Sequence, residues 1–158
     1  MPKHPKETVA ITTPHVTGDE DIGEIRNIVG FHIRLAHGAV YRHFTETFAD
    51  LDLTQKQVSA LWLIDDHPDI AQTGVAQRMR MDRATTMAIV NRLESKGYLL
   101  RKPSRSDGRK QALNLTDRGR KALAAAKRAI HKHEQWLKSR FSEKEVAKLI
   151  ELLTRIHG

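Results

Sequence analysis

The stretch Thr73–Leu115, TGVAQRMRMDRATTMAIVNRLESKGYLLRKPSRSDGRKQALNL, changes its hydrophobic period once, at Gly97. Before that residue apolar side chains recur at helical spacing; after it they follow the period of strands. Val75, Ala76 and Met79 predict a short helix over Thr73–Arg80. Asp82 is suited to cap a second helix that runs to Gly97, a residue fit for a left-handed C-terminal cap. Within this second helix Thr86, Ile89, Val90 and Leu93 fall at i, i+3, i+4 and i+7 and face the core. At about 100° per residue the opposite face then carries Ala84, Ala88, Asn91 and Ser95, flanked by Thr85, Met87 and Arg92. Tyr98–Lys102 and Gln111–Leu115 read as the two strands of a hairpin, with Asp107-Gly108 as the turn signal between them. Two short helices, a tight turn and a basic hairpin make the layout of a winged helix-turn-helix.

Charge is concentrated in the same place. The 158-residue chain has a formal charge of +8, and the segment from Ile70 to Lys121 holds 13 basic residues against 4 acidic ones. That third of the chain carries +9, leaving −1 for everything else. Local basicity of this kind points to a polyanionic partner and not to a general solubility charge. Cysteine is absent, which excludes disulfides, thiol redox chemistry and thiolate metal sites. No Gly-rich phosphate loop, nucleophile elbow or carboxylate pair appears, so no enzymatic activity and no cofactor are expected. The N-terminus lacks the apolar core of a signal peptide, and no stretch approaches the roughly 18 apolar residues of a membrane span. A cytoplasmic protein without membrane contact is expected.

Around the basic segment the chain is helical. Residues 1–17, with three prolines and no period, read as a flexible tail; a basic arm that touches DNA is the other reading. Thr17 and Glu20 have capping-box spacing, and with Asp19, Asp21 and Glu24 they predict the start of a long helix. Two apolar stripes follow, one through Ile22, Ile25, Val29, His32, Ala36, Ala39, His43 and Thr47, the other through Ile33, Val40, Phe44 and Phe48. A helix with two such faces packs against two bodies, one of which can be a partner subunit. Thr54 with Gln57 caps the next helix, whose buried face is Val58, Leu61 and Ile64 and which Pro68 ends. Thr116 starts a helix with a seam of Gly119, Leu123, Ala126, Ile130, His133 and Leu137. Ser142 with Glu145 opens a last one with Val146, Leu149, Ile150, Leu153 and Ile156 inward. The fold class is mainly α with a small β-hairpin wing.

The outer face of the Asp82-capped helix has the chemistry of groove reading. Small side chains let a helix enter the major groove, Asn pairs bidentately with adenine, and Ala or Thr methyls touch thymine methyls. Ala84, Thr85, Ala88 and Asn91 fit those roles, while Arg83, Arg92 and Lys96 suit phosphates, which set register. At the hairpin Arg101, Lys102, Arg105, Arg109 and Lys110 face only Asp107 in opposition, a cluster drawn to a narrow minor groove. Read structurally, the same residues would be a solvated hairpin beside an ordinary surface helix.

The run LTQKQVSALWLIDDHPDIAQTGVAQRMRMDRATTMAIVNRLESKGYLLRKPSRSDGRKQALNLTDRGR resembles the multiple-antibiotic-resistance regulator (MarR) family of bacterial transcription factors. DRATTMAIVNRLESKGYL, SDGRK and LTDRGR carry most of the likeness, which extends from Ile22 to the end of the chain. It implies one domain over 18–158, with dimerisation helices at 18–50 and 117–158 and the winged helix-turn-helix at 54–116. It further implies a homodimer that binds a pseudo-palindromic double-stranded operator as a repressor and is released by a small ligand. By the same resemblance Arg109 enters the minor groove and Asp107 helps hold it. One departure stands out. Met87 and Ala88 occupy mid-helix positions where many members have Ser or Thr followed by Arg, so base contacts there do not carry over.

The TTMAIV pattern is similar to members that answer to aromatic carboxylates or their coenzyme A thioesters. Effectors of the family bind between the dimerisation helices and the winged helix. There His32, Arg34, His37, Arg42 and Trp62 are the expected contacts, cations beside apolar surface being suited to such ligands. No metal site is expected, because His32 and His43 lie 11 residues apart and His131 and His133 point to different sides. A metal-responsive regulator of the same fold and a low-specificity architectural DNA-binding protein stay open as alternatives.

Overall fold

Thr54, Asp82, Thr116 and Ser142 each accept, through the side chain, a backbone N–H from the opening turn of the helix that follows. A computed structural model describes residues 22–158. The expected tail and the Thr17–Glu20 capping box lie outside the described residues. Two units are distinguished, one ending at Leu35 and the other covering Ala36–Gly158.

In the first unit the long helix does not run from the segment near Thr17 as expected. Gly23 adopts φ +68°, Gly23–Asn27 forms a 3-10 turn, and Ile28 is extended at φ −91°, ψ 112°. Helix α1, Val29–Thr47, starts only after this break. β-Branched Ile25, Ile28 and Val29 and two glycines in eight residues give the segment little helix propensity of its own. Ile25, Ile28 and Val29 are exposed.

In the second unit α1 buries Phe44, and Phe48 just beyond its end is buried with it, their rings stacked at 4.0 Å. Of the two expected stripes, it is this Phe44-Phe48 one that reaches the core. A 3-10 turn, Ala49–Leu51, and a left-handed Asp52 (φ 48°) redirect the chain. Thr54 and Gln57 then form the expected reciprocal capping box at 3.2 Å in both directions. Helix α2, Gln55–Asp66, buries Val58, Ala60, Leu61 and Ile64.

A strand that periodicity could not announce follows. β1, Ile70–Ala71, pairs antiparallel with β3, Gln111–Leu115, and β3 pairs antiparallel with β2, Leu99–Pro103. The order is β1-β3-β2, so the expected hairpin is a three-stranded sheet. Asp69, at φ 66°, is held to the middle strand by a reciprocal pairing with the Asn114 side chain. Helices α3, Gln72–Arg78, and α4, Arg83–Ser95, lie between β1 and β2 in sequence.

Helix α5, Asp117–Lys138, is capped by Thr116, whose hydroxyl accepts from the Gly119 N–H at 3.0 Å and donates to the Gly97 carbonyl at 2.6 Å. Its expected seam is inward, with Leu123 and Ala126 at 2% and 0% exposure. Helix α6, Glu143–His157, has the expected Ser142–Glu145 capping box but buries no residue. Leu149, Ile150, Leu153 and Ile156, expected inward, are all exposed, because no element among the described residues covers that face. The core is closed by Leu61, Ile64, Val90, Leu93, Leu99 and Leu113, which join α2, α4 and the sheet. Among the described residues no helix is long and apolar enough to cross a membrane.

Candidate nucleic-acid interface and adjoining crevice

Asp82 fixes the start of α4 with both carboxylate oxygens. Oδ1 accepts from the Thr85 N–H at 2.7 Å and Oδ2 from the Thr85 hydroxyl at 2.8 Å. These bonds hold the Asp82 carboxyl below its ordinary pKa. They also commit the Thr85 hydroxyl proton, so Thr85 can offer a groove its methyl and an oxygen lone pair. At the other end Tyr98 N–H reaches the Leu93 carbonyl (3.0 Å) and Gly97 N–H the Glu94 carbonyl (2.8 Å), with Gly97 at φ 73°. That double closure is the Schellman motif, and it stops the helix where the sequence predicts.

Between these ends α4 has the expected faces. Thr86, Val90 and Leu93 are buried, and Arg83, Ala84, Met87, Ala88, Asn91 and Arg92 are exposed. The outward middle of the helix is therefore small and uncharged, with the Asn91 amide its polar group, and Met87 is 51% exposed beside it.

Two basic residues sit differently from expectation. Lys96 donates to the Asp52 backbone carbonyl and pairs with the Asp52 carboxylate at 3.0 Å, its side chain 13% exposed. It anchors the turn before α2, and its hydrogen bond and charge hold the Asp52 carboxyl below the ordinary range. Arg101 points from β2 back toward the helices, where it donates to Glu94 (3.1 Å) and Asn91 (2.6 Å) of α4 and to Gln72 (3.0 Å) of α3. It belongs to the junction of wing and helices and not to the wing's outer charge.

The wing tip is built on hydroxyl and carboxylate turns. The Ser104 N–H bonds the Lys110 carbonyl at 2.7 Å, and the Lys110 N–H bonds the Asp107 carbonyl at 3.0 Å. Asp107 Oδ1 accepts from the backbone N–H of Arg109 at 3.1 Å, so Asp107 shapes the backbone under Arg109. Gly108 is not among the glycines at positive φ, and the Asp-Gly pair lies within the wider loop between β2 and β3. Arg105 lies 3.7 Å from Asp69 with its side chain 91% exposed, an arrangement that leaves the cation available to a stronger anion. Lys102, Arg109 and Lys110 are exposed. A helix with a small outer face thus stands beside a wing bearing four exposed cations, Lys102, Arg105, Arg109 and Lys110.

Residues 53–110 match the profile of the MarR family. A protein of Thauera aromatica, named as a putative transcriptional regulatory protein for the hcr operon, is 32% identical over 136 residues, covering 85% of this chain and 82% of its own. The solved structure of the transcriptional repressor CouR bound to a 23-mer DNA duplex superposes with a TM-score of 0.82 at 31% identity, over 89% of this chain and all of that one. The chain belongs to the MarR family. It is a DNA-binding transcriptional regulator with a winged helix-turn-helix. A second CouR structure, bound to p-coumaroyl-CoA, has a TM-score of 0.79 at 30% identity, over 87% of this chain and 96% of that one.

This MarR-family chain has a crevice of about 560 Å³ walled by α1, α2, α5 and the turn between α3 and α4. Val40, Phe44, Met79, Met81, Ile130 and Leu137 give it apolar walls, and Lys56 and Arg80 add cations. Arg80 sits in the helix-turn-helix turn at φ 50° and donates to the backbone carbonyls of His157 and Gly158 at the end of α6. His133 lines the same crevice, 6% exposed, with its Nδ1 2.8 Å from His43 Nδ1. His43 in turn stacks on Trp136 at 3.9 Å. Burial, and after it the neighbouring His43, pushes the His133 imidazole below the ordinary histidine range, against a smaller upward pull from Glu134.

None of the five effector residues read from sequence lines that crevice. His32 donates from Nε2 to the Arg26 carbonyl (2.6 Å), and the Arg34 guanidinium lies 5.4 Å from the Phe31 ring centre. His37 stacks on Tyr41 at 6.3 Å, Arg42 is exposed, and Trp62 is covered by Lys127 at 4.7 Å. Lys56 and Arg80, which do line the crevice, are not among the residues expected there, whereas His43 is expected near that region and His133 in the α5 seam. Arg80, after a short apolar helix, has only its charge as a signal. His43 and His133 each stand on a stripe legible in the sequence, but their pairing across 90 positions has no signal there. Among the described residues no three His, Asp or Glu side chains converge as a metal site would require.

Proposed function

We propose that this regulator is a homodimeric repressor that holds a pseudo-palindromic operator and is released by an aromatic acid or its coenzyme A thioester. The observation that carries the DNA half of this reading is the small outer face of α4 beside the exposed cations of the wing. In it Ala84, Thr85, Ala88 and Asn91 meet base edges, Arg83 and Arg92 meet phosphates, and Arg105, Arg109 and Lys110, shaped by Asp107, enter the minor groove. Residues 54–116 form the reading unit, 18–50 and 117–158 pair the subunits, and the two α4 helices stand one helical turn of DNA apart, about 34 Å. The exposed apolar face of α6 supports the pairing. Acting on chromosomal DNA, the protein works in the cytoplasm.

The effector half rests on the crevice. An aromatic ring fits among Phe44, Met79 and Met81, and Lys56 and Arg80 offer cations to a carboxylate or to the phosphates of a thioester. CouR, whose structure with p-coumaroyl-CoA is similar, supports this class of ligand.

A gel-shift titration on the region upstream of the regulator's own gene tests both halves. Preference for that duplex over a random one by roughly 10³-fold or more is expected, with release by aromatic acyl thioesters. Equal affinity for both duplexes would make the protein an architectural binder instead. Lys56→Ala should raise the effector concentration needed for release while leaving binding of the free protein to the operator unchanged. Release by zinc and by no organic acid would favour the metal-responsive alternative.

A further inference from the structure

We propose that Arg101 sets which way the Asn91 amide faces, and so decides which base that residue reads. This rests on the reading of α4 as the DNA-contacting helix. An asparagine amide is nearly symmetric in shape and opposite in chemistry across its two ends. Left free at the surface, it can turn over and exchange its donor for its acceptor. A base reader that does so accepts opposite hydrogen-bond patterns and discriminates poorly.

Here the exchange is blocked. Arg101 Nη2 lies 2.6 Å from Asn91 Oδ1. Guanidinium only donates, so the atom facing it has to be the oxygen, and the amide nitrogen is turned away from it. The carbonyl retains a second lone pair. The fixed amide therefore still offers one acceptor and a donor pair, the complement of adenine N6 and N7.

Arg101 is itself held on its other nitrogens. Nε donates to Glu94 Oε2 at 3.1 Å and Nη1 to Gln72 Oε1 at 3.0 Å. Gln72 is the first residue of α3, Glu94 lies in the last turn of α4, and Arg101 pairs across the sheet with Leu113. One planar group thus ties wing, recognition helix and preceding helix to a single amide. Glu94 neutralises its charge, so Arg101 adds little to phosphate attraction. Lysine could not substitute, because one ammonium cannot span three partners in a plane.

The test uses the full-length protein and a set of operator duplexes in which each base pair of a half-site is changed in turn. Wild type, Arg101→Lys, Asn91→Ala and the double variant are compared, with circular dichroism as the check on folding. Arg101→Lys should lose roughly tenfold of base preference at one position, the position that Asn91→Ala also relaxes. It should lose much less on random duplex, and the double variant should match Asn91→Ala at that position. Gln72→Ala, which loosens Arg101 without touching Asn91, should relax the same position to a smaller degree. An equal loss on every duplex, or full additivity with Asn91→Ala, would overturn the assignment and leave Arg101 as a support of the wing. If wild type shows no base preference at all, the reading of a sequence-specific regulator falls along with it.

Discussion

The Nδ1 atoms of His43 and His133 lie 2.8 Å apart and join α1 to α5. At that distance one nitrogen carries a proton and the other presents a lone pair, so the pair cannot be doubly protonated and keep this contact. His133 titrates below its ordinary value for reasons of burial and of this neighbour. Above the unfolded histidine pKa, about 6.5, both states are neutral and the pair's contribution is complete. As pH falls below that, the unfolded chain takes up a proton that the folded one resists, and stability is lost down to the folded pKa. Urea midpoints at pH 7.5 and pH 5.5, about one unit to either side of that value, should therefore fall more for wild type than for His133→Gln. Equal falls would remove the pair from the acid response.

Gly119 has no room for a side chain. A Cβ there would sit 1.8 Å from the Tyr98 carbonyl oxygen, a backbone atom that already accepts from the Thr116 N–H at 3.1 Å. Gly119→Ala should cost about 3 kcal/mol, at the upper end of overpacking penalties, because the obstacle is main chain and cannot rotate aside. An unfolding midpoint within error of wild type would mean that α5 can shift away from the sheet freely.

The face of α6 that carries Leu149, Ile150, Leu153 and Ile156 is exposed among the described residues, with Ile156 65% exposed. Leu153→Glu should convert a dimer to a monomer in sedimentation and weaken operator binding by far more than it weakens binding to a single half-site. A variant that remains dimeric would place the subunit contact elsewhere.

Arg109 is exposed on a tip whose backbone Asp107 organises. Arg109→Ala should weaken binding to all duplexes and reduce the slope of log affinity against log salt by about one phosphate-equivalent. Asp107→Ala should weaken binding with a smaller change in slope, since it removes the support and keeps the charge. Unchanged affinity in both would exclude the wing tip from the interface.

Much of the outer face of α4 and of the wing is legible in the order of residues alone. The caps at Thr54, Asp82, Thr116 and Ser142, the stop at Gly97 and the two faces of α4 all follow from contacts between residues three to five positions apart. The N-terminal helix begins later than capping spacing near Thr17 suggests, and the glycines and β-branched residues ahead of Phe31 give that segment little helix propensity. The α6 side chains expected inward lie outward for another reason. An amphipathic period says that a face is to be covered and is silent about which chain covers it.

Local chemistry in the sequence thus determines where helices start, which way they face and where positive charge collects, because each depends on neighbours within a turn or two. Tertiary structure alone decides which of those charges remain available. Lys96 and Arg101 look in sequence like further members of a basic patch, yet they are committed to Asp52, 44 positions away, and to Gln72, 29 positions away. The two-residue β1, the His43-His133 pair and the crevice cations Lys56 and Arg80 depend in the same way on folding. Spacing puts His43 and His133 on helical stripes without saying that they meet, and it singles out neither β1 nor Lys56 and Arg80; only the closing of the core around Leu61, Val90 and Leu113 brings them together.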